Sequence, residues 1–198
     1  MFHTHSVRRV VTGHDANGKA VFVSDEWVDP VTSPLMPGSE FHLLWGGDAP
    51  PQFPDDGSRP AVATYFPGIG GFRFGQFAVP PAGAVEVPAD VDVPAALAEF
   101  EAQMPGLLGH MEPDAPGMHT TATIDFEVVL DGEIWLELDD GEEVHLQPGD
   151  CVVQNGTRHA WRNRGDVTCR LAVILLGAHH SRVPSAAHAR TDDAAPTS

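Results

Sequence analysis

The sequence predicts an all-β fold of antiparallel strands with one short helix. Three observations carry this expectation. Residues 119–177 divide into six runs of strand length, 119–130, 133–139, 143–146, 150–154, 158–163 and 168–177, parted by turn formers. In the first run polar and apolar residues alternate, as they do on a strand with one face turned to each side. The chain also carries 20 glycines and 18 prolines, a supply of turns that suits a β-rich fold better than a helical one.

The elements follow in chain order. Val7–Thr12 and Lys19–Ser24 read as strands, and the turn formers Gly13-His14-Asp15-Ala16-Asn17-Gly18 between them predict a hairpin. Residues 29–60 hold seven prolines and read as loop, with room for a short strand at Phe41–Trp45. Phe72–Val79 alternates and reads as a strand entering the main sheet. Val93–Met104 is the one good helix candidate. Pro94 suits its first turn, Ala95–Glu99 favour helix, and Pro105-Gly106 ends it. Asp131-Gly132 and Asp139-Asp140-Gly141 mark later hairpin turns. From Ala178 the composition turns to Ala, Ser, His, Pro and Asp, which predicts a disordered tail. No internal repeat is visible. The expected organisation is N-terminal strands and loops over 1–70, a barrel over 71–178 and a tail over 179–198.

Alternation also predicts where the chemistry lies. His119, Thr121, Thr123, Asp125 and Glu127 share one face of the first run, and Ile124, Phe126, Val128 and Leu130 take the other. Forty positions after His119, His159 lies in a second amphipathic run, 158–163. Gly117 through Gly132 and Gly149 through Asn163 resemble the two motifs of the cupin family. His119 stands at the first histidine, Thr121 where a second is usual, and Asp125 at the glutamate, followed by six residues and Gly132. Gly149, Gly156, His159 and Asn163 match the second motif, while Gln154 replaces its proline and one residue is missing before it. The resemblance covers roughly residues 70–178. It implies a single jelly-roll barrel, with the segment before residue 70 as added strands that cover a barrel edge or swap onto a partner. It also implies a homodimer.

Three readings of the site stay open. In the first, His119, Asp125 and His159 form a facial triad holding a divalent transition metal, Fe, Mn, Ni or Zn. Thr121 weakens that set, because a threonine hydroxyl is a poor ligand. In the second, His119, Asp125, His159 and Glu127 work without metal as general acids and bases. Isomerisation, dehydration, lactone opening or decarboxylation would fit. In the third, the polar cluster binds a small ligand without chemistry or merely satisfies itself. Thr121, Trp161 and Arg73 are the candidate substrate contacts. The hydroxyl would bond substrate or water, the indole would stack on a flat substrate, and the guanidinium would clamp a carboxylate. The favoured expectation is a small-molecule enzyme acting on an aromatic or polyketide-like compound, with a non-catalytic ligand-binding protein as the alternative.

Other residues carry less. His3 and His5 lie beside a terminus, and His179, His180 and His188 lie in the expected tail. His110 and Glu112 would sit at the pocket mouth or on the surface, and His145 on the surface. By parity Arg158 and Arg162 face away from His159. Phe74, Phe77 and Phe126 read as packing, and Met104, Met111 and Met118 as gap fillers. The net charge of −17 argues against nucleic acid or an anionic membrane as partner. No apolar run approaches the length of a membrane span. With no signal peptide visible, Cys151 and Cys169 read as reduced thiols of a cytoplasmic protein.

Overall fold

The computed structural model describes residues 6–84 and 86–183. Its strands are β1 (Val7–His14), β2 (Ala20–Val28), β3 (Glu40–Gly47), β4 (Phe72–Val79), β5 (Thr123–Asp131), β6 (Ile134–Glu137), β7 (Glu143–Leu146), β8 (Cys151–Asn155), β9 (Ala160–Arg162) and β10 (Cys169–Gly177). One helix, α1, spans Val93–Gln103 between β4 and β5. Among the described residues no helix is long and apolar enough to cross a membrane.

The strands form three antiparallel sheets. β1 and β2 make the N-terminal hairpin. A five-stranded sheet has the order β3-β4-β10-β5-β8, and a three-stranded sheet the order β7-β6-β9. The hairpin is longer than its sequence signal: β1 takes in Gly13 and His14 of the expected turn, and β2 runs on to Val28. β3 lies within the expected N-terminal region, yet it is the edge strand of the five-stranded sheet.

The core lies between the two larger sheets. Val129, Leu171 and Cys169 from one meet Ile134, Leu136 and Leu146 from the other, with Phe77 and Trp161 packed against them. Cys169 is buried, Cys151 is exposed, and both are free thiols. Gly132 closes the β5–β6 turn at φ +75°, and a Cβ there would sit 2.7 Å from the Thr168 carbonyl, so the turn demands glycine. A second apolar cluster joins Phe100 of α1 and its C-cap residue Met104 to Leu107, with Val31, Met36, Phe41, Tyr65 and Phe66 around them. α1 starts as its sequence predicts. The Asp92 carboxylate accepts from the Ala95 N–H, and a proline occupies the first turn.

β5 decides which face looks inward. Thr123, Asp125, Glu127 and Val129 are buried, while Phe126, Val128 and Leu130 are exposed. The polar side of the strand is therefore the inner side, and its apolar side meets solvent. Residues 184–198, most of the expected tail, and residues 1–5, with His3 and His5, lie outside the described residues. His180 lies inside them and contacts the Gly156 carbonyl through Nε2 at 3.1 Å.

Candidate active site

A cavity of about 260 Å³ opens between the sheets and the loops before β4 and β5. His119, Asp125, Glu127, His159 and Trp161 line it together. All five lie at the alternating positions on which the sequence reading rests, although His119 and His159 fall just outside the strands β5 and β9. His119 is held by an isolated backbone bridge to His159, each N–H donating to the other's carbonyl at 3.0 Å. That bridge sets the two imidazoles face to tilted face, with ring centroids 4.2 Å apart.

Both rings are fixed as the same tautomer. His119 Nδ1 lies 3.0 Å from the Gly117 carbonyl, and His159 Nδ1 lies 2.9 Å from that of Thr157. A carbonyl only accepts, so Nδ1 carries the proton and Nε2 of each neutral ring keeps its lone pair. Burial lowers the pKa of His119. Burial, then the neighbouring His119, pushes that of His159 down to about 4. At neutral pH both rings are uncharged.

The carboxylates move the other way. Asp125 is 3% exposed and Glu127 4%, and each has a buried oxygen, Oδ1 and Oε2, with no hydrogen-bond partner. Burial pushes Asp125 up to about 6 against a bond from Thr123. Burial, then repulsion from Asp125, pushes Glu127 up to about 8. Two acids with separated pKa values and uncommitted oxygens, facing one apolar space, make a proton donor and a proton acceptor.

Tyr65 completes the site, and the sequence reading missed it. Burial, then the negative charges of Asp125 and Glu127, raises its phenol pKa. Tyr65 and Phe66 come from the proline-rich stretch between β3 and β4, which is held over the cavity by the bond from Tyr65 N–H to the Pro105 carbonyl at 2.8 Å. Alternation says nothing about a loop residue. The only available signal was that this is the chain's single tyrosine.

Two expected substrate contacts are corrected. Arg73 does not line the cavity. Its guanidinium donates to the carbonyls of Gly47, Phe72 and Thr64 and pairs with Asp48 at 2.5 Å, which leaves nothing for a substrate carboxylate. β4 puts Arg73 on the inner side, but at the end where the β3 and Thr64 backbones supply bare carbonyls. Thr121 is fully buried and spends its hydroxyl on Thr123, with the two oxygens 2.8 Å apart. Both lie beside the cavity, not in it.

The other motif residues hold the turns. Gln154 donates through Nε2 to the Thr157 carbonyl at 3.1 Å, bracing the loop before His159. Asn163 donates to the carbonyls of Val79 and Val167, both at 2.8 Å. Arg158 grips Glu112 with two bonds of 2.7 and 2.6 Å, tying β9 to the loop that carries His119. Arg162 pairs with Glu137, as its outward parity predicts. His145 is a surface residue stacked on Trp135. His110 packs on Phe66 with centroids 4.7 Å apart.

The donor set does not fit the expected metal. His119, Asp125 and His159 line one cavity, but among the described residues no group of three His, Cys, Asp or Glu side chains is arranged to hold an ion. Thr121, at the position of the further ligand, is bonded to Thr123.

Known proteins resemble this chain over much of its length. The Cupin_2 family, described as Cupin domain, matches residues 108–175. Phomopsin biosynthesis cluster protein C' of Diaporthe leptostromiformis is 32% identical over 176 residues, which is 86% of this chain and 78% of that protein. The cupin-domain-containing oxidoreductase srdB of Neurospora crassa is 30% identical over 163 residues, covering 80% of this chain and 66% of the relative. A putative ethanolamine utilization protein Q of Salmonella typhimurium aligns in structure with TM-score 0.40 and 9% identity, over 88% of this chain and 99% of that one.

Proposed function

This chain belongs to the cupin superfamily, and from that premise we propose that it is a small-molecule enzyme working by proton transfer inside the barrel. The observation that carries the proposal is the pair of buried carboxylates with unpartnered oxygens, set beside two neutral imidazoles in an apolar cavity. Asp125 takes a proton from the substrate, and Glu127, protonated at neutral pH, gives one back. The Nε2 lone pairs of His119 and His159 accept hydrogen bonds and orient the substrate. Phe66, Phe77 and Trp161 exclude water, which strengthens each of these contacts. Aromatic walls support an aromatic or polyketide-like substrate, and the biosynthesis-cluster name of a relative supports a biosynthetic role.

Once turnover is found by screening such compounds, kcat/KM should trace a bell. The lower limb near pH 6 follows ionisation of Asp125, and the upper limb near pH 8 follows deprotonation of Glu127. Activity should survive chelation. A flat profile, or loss of activity with EDTA, would overturn the proposal. A non-catalytic ligand-binding role is the second reading, because uncommitted buried acceptors also suit a ligand that is only held. It predicts thermal stabilisation by ligand without turnover. The free thiols Cys151 and Cys169 support a cytoplasmic location within the same proposal.

We also propose that the protein is a homodimer formed through the outer face of the five-stranded sheet. Phe74, Ile174, Phe126 and Val153 stand in register across four strands of that face, and all four are exposed. With Val128, Leu130 and Leu176 they present on the order of 500 Å² of apolar surface, against about 800 Å² per partner in a standard interface. Phe22, 81% exposed, and Trp27, 68% exposed, are further exposed aromatics on the N-terminal hairpin. A second copy is the occupant we propose, because one self-complementary patch suffices for a two-fold pair. Light scattering should give twice 21.2 kDa, and Phe126→Lys should give the monomer mass. A wild-type monomer, or a dimer untouched by Phe126→Lys, would overturn this.

A further inference from the structure

We infer that the cavity selects a non-anionic aromatic compound bearing two or more O–H donors, such as a resorcinol, and rejects carboxylates and phosphates. This deepens the acid–base reading and rests on it only for the choice of cavity.

Size comes first. A pocket of about 150 Å³ accepts benzene, and 260 Å³ accommodates one ring with a few substituents. Phe41, Phe66, Phe77 and Trp161 supply flat walls for such a ring.

Hydrogen-bonding chemistry comes second. Asp125 Oδ1 and Glu127 Oε2 are buried oxygens without partners, on side chains more than nine-tenths buried; the ionised Asp125 only accepts, while the protonated Glu127 offers one O–H and one accepting oxygen. His119 and His159 add two Nε2 lone pairs, since both Nδ1 protons are engaged by carbonyls. Buried acceptors without donors are costly, and a ligand carrying donors relieves that cost. An apolar ligand leaves them bare, and an anion brings more acceptors.

Charge comes third. No lysine or arginine lines the cavity among the described residues. The arginines closest to the site residues are all committed elsewhere. Arg73 is held by three carbonyls and Asp48, Arg158 by Glu112 and Asp139, and Arg162 by Glu137 and the Pro116 carbonyl. Nothing is left to neutralise a carboxylate drawn out of water.

Isothermal titration of the wild-type protein with resorcinol, toluene and benzoate tests this directly. Resorcinol should bind at least about tenfold more tightly than each of the others. Asp125→Asn should weaken resorcinol by about tenfold while leaving toluene unchanged. Benzoate binding as tightly as resorcinol overturns the inference. So does toluene matching resorcinol, or no heat from resorcinol up to its solubility limit. If Asp125→Asn does not fold, the three-probe comparison on the wild type decides alone. Turnover found only with carboxylates would sink this inference and leave the acid–base reading standing. Resorcinol binding without turnover of any phenol would do the reverse.

Discussion

Glu127→Gln should make the protein more stable in mild alkali while removing its function. The folded protein holds Glu127 protonated up to about pH 8, whereas its ordinary pKa is 4.5. The folded state therefore binds the proton more tightly than the unfolded chain does. Stability from this group is complete below about pH 4.5 and is lost as pH climbs to about 8. Asp125 adds a smaller loss between 3.8 and about 6. His159 slopes oppositely, because its folded pKa of about 4 lies below the ordinary 6.5, so its contribution fades as pH falls through that window. Wild-type stability should peak in mild acid and decline toward pH 9. Glutamine has the same shape, cannot ionise, and can donate to Asp125. We expect Glu127→Gln to gain about 1–3 kcal/mol at pH 9 and little at pH 5. Its kcat should fall by about 10²–10⁴-fold. Urea titrations at the two pH values check the stability half. An equal shift at both, or a loss at pH 9, would show that Glu127 is not a buried acid.

Gly177→Ala should damage the site from outside it. Gly177 ends β10, and a Cβ there would lie 1.8 Å from the Gly68 carbonyl oxygen and 2.4 Å from its carbon. No side-chain motion relieves a clash with backbone, so the 67–68 segment must move by an ångström or more. Tyr65 and Phe66, three and two residues before Gly68, form part of the cavity wall. Overpacking of this kind costs about 1–3 kcal/mol. A misplacement of about 1 Å in a positioning loop can cost 10²-fold in activity. Gly109→Ala is the control, since nothing lies within 4 Å of its Cβ position. Thermal unfolding of both variants gives the answer, and equal melting temperatures would mean that the loop is free to shift.

Alternation alone made much of this legible. Because side chains on a strand change sides at each residue, the 123–127 run placed Asp125 and Glu127 together, and the 159–161 run placed His159 with Trp161. Helix α1 was legible from Pro94 and the alanines that follow, while its Asp92 cap was not read from the sequence. Arg73 and Thr121 were misjudged as substrate contacts for a common reason. Parity gives the side of a sheet but not what else is there. Arg73 meets bare carbonyls at the far end of β4, and Thr121 meets Thr123.

The sequence by itself determined the strands, the single helix, the family motifs and which β5 residues share a face, because these depend on neighbours a few positions apart. Only the tertiary structure decided that the polar face points inward and the apolar one outward. It also brought Tyr65 from a loop 60 residues away to Asp125, and it left two carboxylate oxygens buried without partners. Those outcomes depend on which sheet packs over which and on where a long loop returns. Both are settled by burial across the whole chain, which no local pattern encodes.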